Sequence, residues 1–336
     1  MSGYAALKHN ILQNAARDVI PAAVDFELTP RCNFSCPMCY LKSSVSIKEK
    51  PTQWWRDTFK AAVDAGLLYA LLTGGEPLSR PDFLELYEYL YDLGVRITVY
   101  TNGSLIDGGV LQTFMKRPPE FVGITLYGYN EASVHAVTGN PKGFRDVETG
   151  IEMLAMVGID VALRTIPIRP IYDHLDKLIG YVKNKGLWLG YQLYVGPGRE
   201  KDLDAGLRIT PAEIADFEVR IKDAFPIAEH PLHQETMAAT CPALRSGCFV
   251  TWNGRMTPCA MVAHPGKIVS PETFLTTFRE LNKKMLAAPV CTECAGCSLA
   301  GDCLQCHARR VLEGSPTACP PYLRAIAEAR RKLKHE

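Results

Sequence analysis

The sequence predicts an α/β fold: a partial (β/α)6 barrel over residues 20–200, a bridge over 201–235, and a small cysteine-rich domain over 236–336. Three observations predict it. Six short apolar runs alternate with runs of helical spacing between Val24 and Tyr194, the pattern of a parallel sheet with crossover helices. Right-handed crossovers make a partial barrel the natural closure of such a chain. The twelve cysteines are unevenly placed, with three between Cys32 and Cys39 and nine after Pro231.

The first strand, Val24 to Thr29, is short and apolar and delivers the loop that begins at Cys32. Pro51 to Ala65 is helical, with Trp54, Phe59, Ala62 and Val63 at helical spacing and Thr52 as cap. Leu68 to Thr73 is a strand closed by Gly74-Gly75-Glu76-Pro77. Pro81 to Leu93 is a helix with Pro81 in its first turn, packed through Tyr87, Tyr89 and Tyr91. Val95 to Tyr100 is a strand followed by Thr101-Asn102-Gly103, and Asp107 to Lys116 is a helix. Phe121 to Leu126 is a strand followed by Tyr127-Gly128, and Phe144 to Val157 is a helix. Ile159 to Ile166 is a strand, Ile171 to Lys185 a helix, and Trp188 to Tyr194 the sixth strand. In such barrels chemistry sits at the carboxyl ends of the strands. The cysteine loop, Gly74–Pro77, Thr101–Gly103 and Tyr127–Gly128 all fall there.

Beyond the polar bridge, Asn253-Gly254 between strand formers predicts a hairpin that brings Cys248 and Cys259 together. The basic end, from Arg324 to Lys334, has helical spacing and suits a helix C-terminus. Hydrophobic content of 47%, charge of 22% and a net charge of +1 are those of an ordinary globular protein, with no reason to expect a nucleic-acid or membrane partner. No apolar run is long enough to span a bilayer, and Met1–Ala16 lacks the pattern of a secretory signal. Cysteines in such a chain point to metal ligation in a reducing, cytoplasmic compartment.

Cys32-Asn33-Phe34-Ser35-Cys36-Pro37-Met38-Cys39 packs three thiols as C-x3-C-x2-C. A tetrahedral zinc site wants a fourth local ligand, and none follows. Three thiolates on a four-iron cluster leave one iron open to a substrate or cofactor. A structural zinc knuckle and three buried thiols are the plainer alternatives. The spacing resembles the signature of the radical S-adenosylmethionine (SAM) enzymes. The resemblance implies that Cys32, Cys36 and Cys39 hold a [4Fe-4S] cluster whose open iron chelates SAM, and that the reduced cluster cleaves SAM to a 5′-deoxyadenosyl radical. Gly74, Gly75, Glu76 and Pro77 resemble the family's GGE motif. There the glycines let the backbone approach a ligand, and Glu76 offers a carboxylate to the SAM amino group. A plain strand-to-helix turn accounts for the same four residues. The resemblance further places Asn102 and Thr125 near the SAM ribose and carboxylate, Arg164 at the carboxylate and Leu193 at the adenine. Thr125 and Leu193 also read as barrel packing. Many relatives carry an Arg shortly after the fourth strand, and Ser133 to Thr138 has none.

The cysteine-rich domain resembles the SPASM extension of radical SAM peptide-modifying enzymes. Cys248, Gly254 and Cys259 fit its first half, with a shorter spacer before Gly254. Cys294, Cys297, Cys303 and Cys306 fit its second half, with the last step one residue short, and Cys319 closes the set. The family's interleaved ligation then implies two auxiliary [4Fe-4S] clusters, one on Cys241, Cys248, Cys259 and Cys306, the other on Cys294, Cys297, Cys303 and Cys319. Cys291 is left over and is an alternative to Cys294. Paired C-x2-C spacing also suits zinc.

The chemistry implied is hydrogen-atom abstraction from a peptide or protein substrate, with the auxiliary clusters accepting an electron. The partners implied are a reductant such as flavodoxin or ferredoxin and, since the segment before Val24 is too short for a leader-binding domain, either a separate leader-binding protein or direct binding of the substrate to the barrel mouth. Sulfatase-maturing relatives carry an Asp after the third ligand of the first auxiliary cluster, as general base. Ala260 stands there, and a methyl group takes no proton. Asp25 and Glu27 are the carboxylates that a base from the first strand would use. A peptide maturase is therefore expected over a sulfatase-maturing enzyme. A non-catalytic iron–sulfur carrier, the reading from another class, leaves Glu76 without a purpose.

Overall fold

The computed structural model describes residues 3–41, 48–197, 205–226, 245–262, 265–288, 291–294, 296–304 and 306–335. Cys241 and the Pro226–Pro231 end of the bridge beyond Pro226 lie outside the described residues.

Helix α1 (Gly3–Asp18) precedes strand β1 (Ala23–Glu27). The βα alternation follows as α2 (Thr52–Asp64), β2 (Tyr69–Thr73), α3 (Phe83–Asp92), β3 (Arg96–Thr101), α4 (Gly108–Lys116) and β4 (Phe121–Thr125). Two helices, α5 (Glu131–Thr138) and α6 (Gly143–Met156), lead to β5 (Val161–Thr165). Helices α7 (Arg169–Tyr172) and α8 (Leu175–Asn184) lead to β6 (Leu189–Tyr191). The six strands are parallel and in sequential order, as a partial (β/α)6 barrel requires. The single helix expected over Ile171–Lys185 is two, because the chain turns at Asp173 and His174 before α8 begins.

The sheet does not stop at β1. Beyond helix α9 (Pro211–Ala224), the cysteine-rich region supplies β7 (Gly247–Val250), β8 (Arg255–Thr257) and β9 (Lys267–Ile268). Strand β7 pairs parallel to β1, with Val24 opposite Cys248, and β8 and β9 follow antiparallel. The predicted hairpin is β7–β8. Its loop is longer than two residues: the Gly254 amide donates to Thr251 O at 2.8 Å, and the Thr251 amide to Arg255 O at 2.9 Å. Gly254 carries φ +80°, the left-handed position that a glycine takes in three-residue hairpin loops. Helices α10 (Phe274–Leu286), α11 (His307–Leu312) and α12 (Pro321–His335) complete the chain.

Alternation along β1 sorts its side chains. Val24 and Phe26 are fully buried on the helix side, Phe26 edge-on to Trp55 and Phe59 of α2 at 6.2 and 4.9 Å between ring centroids. Asp25 and Glu27 occupy the other face. At the amino ends of the strands, α1 lies across the sheet: Tyr4 donates to Glu120 at 2.8 Å, Lys8 pairs with Glu120 at 3.0 Å, and Lys8 sits over the Tyr69 ring. That leaves the carboxyl ends for the site. At the other flank, α12 packs on α9 through a buried pair in which Arg330 meets Glu218 at 2.6 and 3.0 Å.

Candidate active site

The loop after β1 is pinned from several elements. The Ser35 amide donates to Thr138 O, at the end of α5, at 2.7 Å. Asn33 donates to Ser104 Oγ at 2.8 Å and accepts from Asn102 Nδ2 at 2.8 Å. Within the loop the Phe34 amide donates to Cys32 Sγ at 3.3 Å and the Leu41 amide to Cys39 Sγ at 3.4 Å. Amides aimed at sulfur favour the thiolate, which is the form that ligates metal. Burial pushes the Cys32 thiol up to about 11 when no cation faces it. All three thiols act electrostatically on Tyr127, whose phenol is raised first by burial and then by Cys36 and Cys39. The loop lies beside Tyr127, whose ring centroid is 6.5 Å from that of Phe34. Among the described residues no three His, Cys, Asp or Glu side chains converge enough to hold a single metal ion. A four-iron cluster asks for no such convergence, since its thiolates are held at separate corners.

The reason for Gly74 and Gly75 is the chain's own backbone. A Cβ on Gly74 would lie 2.6 Å from Thr29 O, and one on Gly75 would lie 2.3 Å from Arg31 O. The Gly75 amide donates to Thr29 O at 2.8 Å, and the Glu76 amide to Arg31 O at 2.7 Å. The turn is thus laced to the root of the cysteine loop, where the sequence suggested close approach to a ligand. Pro77 opens a short 3-10 turn, Pro77–Ser79, and Glu76 caps it by accepting from the Leu78 amide at 3.0 Å.

Glu76 is fully buried. Its carboxylate also accepts from Thr101 Oγ1 at 2.7 Å and from the Asn102 amide at 2.6 Å. Burial raises the carboxyl to about 7 against these bonds, which pull it down. Asn102 is a hub: its backbone serves Glu76, its Nδ2 serves Asn33 and lies 3.8 Å from Cys32 Sγ, and its Oδ1 accepts from Ser104. The family resemblance puts Asn102 near the SAM ribose, and its side chain also holds the loop network together. Arg164 and Thr125 are register partners on β5 and β4. The Arg164 guanidinium stacks 3.6 Å from the centroid of Tyr100, and its Nε is buried with no hydrogen-bond partner among the described residues. Such an orphaned cationic donor fits an anionic ligand group. Gly123 makes room for the stack, since a Cβ there would lie 2.5 Å from the Tyr100 ring. Leu193 is buried just beyond β6. Burial raises Asp25, on the face of β1 away from α2, to about 7.

The remaining thiols divide. Cys248, on β7, is buried and lines a small cavity with Phe278, Leu281, Asn282 and Met285 of α10, and burial followed by the nearby Asp25 raises its thiol. Cys259 follows β8, and Thr257 Oγ1 donates to its carbonyl at 3.1 Å. Cys306 stands at the amino end of α11. Cys319 bears electrostatically on Cys294 and Cys303, while Cys291 and Cys297 bear on Cys319. The described cysteines form no disulfide. Sequence reasoning missed α5 as the holder of the cysteine loop, although Asn130 and Ser133 spell a capping box and Gly139 a left-handed stop. It also missed Tyr127 as the wall beside the thiols.

Comparison with known proteins agrees with this geometry. Residues 26–182 match the Radical SAM superfamily. The AdoMet-dependent heme synthase of Methanosarcina barkeri is 24% identical over 270 residues, 71% of this chain and 76% of that protein. The PqqA peptide cyclase of Ruegeria pomeroyi is 30% identical over 162 residues, 47% of this chain and 43% of that protein. Among solved structures, Streptococcus suis SuiB bound to S-adenosylmethionine shares the fold with a TM-score of 0.71 at 17% identity, covering 95% of this chain and 81% of SuiB. A radical SAM domain implies SAM and a four-iron cluster as cofactors. Residues 26–182 are thus a radical SAM domain, and the chain is consistent with an enzyme of that type.

Proposed function

We propose that the chain is a radical SAM peptide maturase that abstracts a hydrogen atom from a peptide side chain or backbone. The observation that carries the radical part is the single network in which Glu76, Asn102 and Cys32 meet. Cys32, Cys36 and Cys39 hold the cluster; Glu76 takes the SAM ammonium; Gly74, Gly75 and Pro77 shape that turn; Arg164 takes the SAM carboxylate on its free Nε. Thr125 and Leu193 are further SAM contacts in this reading, and Asn102 fixes the loop. When bound, SAM and the reduced cluster supply a 5′-deoxyadenosyl radical, and this chain orients the substrate hydrogen toward it.

Support for a peptide substrate comes from the relatives. One is named a peptide cyclase, and SuiB has also been solved with its precursor peptide SuiA. The cysteine-rich region holds two auxiliary clusters in this reading, on Cys241, Cys248, Cys259 and Cys306 and on the Cys294–Cys319 group. A flavodoxin or ferredoxin supplies the electron in this reading. Formylglycine formation is disfavoured because Ala260 follows Cys259. The test is anaerobic incubation of the reconstituted protein with SAM, reductant and a sulfatase-motif peptide. Deoxyadenosine without change to that peptide is expected. A mass loss matching formylglycine, at the rate of SAM cleavage, overturns the maturase reading. No deoxyadenosine at all overturns the radical one.

A further inference from the structure

The cation of Arg164 is held by a stack that crosses three strands. Tyr100 on β3 stands opposite Gly123 on β4, and Arg164 on β5 stands opposite Thr125, two residues further along β4. Side chains alternate along a strand, and the neighbours Val99, Ile124 and Leu163 are all buried in the core. Tyr100, Gly123 and Arg164 therefore share the other face of the sheet. Adjacent strands lie about 4.8 Å apart, so the side chains from β3 and β5 must reach across β4 to meet. They do meet: the Arg164 guanidinium carbon lies 3.6 Å from the Tyr100 ring centroid. A Cβ on Gly123 would lie 2.5 and 2.6 Å from Cδ1 and Cε1 of that ring, and 3.6 Å from Arg164 Nη2. Gly123 does not take a positive φ, so its backbone does not call for glycine. Glycine inside a strand weakens it. The ring is what requires the missing side chain.

The contact is made by the face of the ring and the face of the cation. It leaves the edge of the guanidinium, where the N–H donors point, to other partners. Arg164 Nε on that edge is buried and has no hydrogen-bond partner among the described residues. We infer that Tyr100 is a positioning residue for SAM binding: its ring, admitted by Gly123, holds the Arg164 guanidinium with Nε presented to the SAM carboxylate. This rests on the reading of Arg164 as the group that takes that carboxylate. A long side chain fixed before the ligand arrives loses less freedom on binding, and a tyrosine face attracts a desolvated cation more strongly than an exposed one.

The experiment uses the full chain with its clusters loaded anaerobically and measures the SAM dissociation constant by calorimetry. Tyr100→Leu is expected to weaken binding about tenfold. Tyr100→Phe keeps the ring and is expected to bind as the wild type does. Gly123→Ala drives a methyl group into the ring and is expected to match Tyr100→Leu. Arg164→Gln is expected to weaken binding at least as much, and adding Tyr100→Leu to it should cost nothing more, because the ring then has no cation to hold. Iron content and the urea unfolding transition report that each variant is folded. Wild-type affinity in Tyr100→Leu, with Arg164→Gln weakened, overturns the positioning role and leaves the carboxylate reading standing. Additive losses in the double variant also overturn it, as does a loss in Tyr100→Phe equal to that in Tyr100→Leu. Wild-type affinity in Arg164→Gln overturns the carboxylate reading, and the role of Tyr100 with it.

Discussion

At the scale of single residues, Glu76 has the most definite consequences. Its carboxyl is raised from an ordinary 4.5 to about 7 by burial, so without SAM it favours the fold below its unfolded value. That contribution is lost as pH rises through about 7. A bound ammonium reverses the preference, because it needs the carboxylate. SAM affinity is therefore expected to rise as pH climbs through about 7, measured by calorimetry on the cluster-loaded protein. Glu76→Gln removes a charge-assisted bond of about 1.5–3 kcal/mol, which predicts roughly a 10- to 150-fold weaker SAM dissociation constant. It also predicts a flat pH profile. An unchanged constant in the variant removes Glu76 from the site.

At the scale of elements, the Cys32–Cys39 loop and the C-terminal thiols have separate anchors. Replacing Cys32, Cys36 and Cys39 together by Ala is expected to abolish deoxyadenosine while leaving iron in the C-terminal region. Iron analysis and chromatography of the products check both halves. All six parallel strands were legible in the sequence, because buried strands read as short apolar runs and each ends in residues with turn chemistry. The thiol motif and Gly74–Pro77 were legible by type and spacing. What those residues touch was not. The glycines accommodate the backbone of Thr29 and Arg31, contacts set by how two loops cross. Nor was the register of β7 on β1 legible, since strand partners distant in the chain leave no periodic mark. Helix α5 was not legible because eight residues give too short an apolar face to show a helical period.

At the scale of the whole molecule, one buried ion pair ties the flank together. Glu218 and Arg330 are 5% and 6% exposed and join α9 to α12. Burial alone would raise Glu218, but Arg330 and Lys222 outweigh it and hold the carboxyl below its ordinary 4.5. Its contribution is present above about pH 4.5 and is lost as pH falls through the depressed value. Arg330→Met leaves the buried Glu218 carboxylate with Lys222 as its remaining cation, with an expected cost of about 3 kcal/mol in urea unfolding, the lower end for a broken buried pair. Mutating both partners to apolar residues is expected to recover much of that loss. The intact protein, if it holds three four-iron clusters, should bind about twelve irons.

The β1–β7 pairing described above bears on how the chain is made. The strand that carries the cysteine loop emerges early from the ribosome, but one of its two neighbours arrives only with Gly247. Until then β1 presents a bare parallel edge of Val24 and Phe26 backbone, the kind of template on which other chains dock. Long-range pairing of this sort is slow and leaves the nascent chain exposed to aggregation. A fragment ending at residue 200 is accordingly expected to be insoluble or oligomeric in sedimentation, even though it contains every barrel strand. A monomeric, soluble fragment would show that the edge is tolerated.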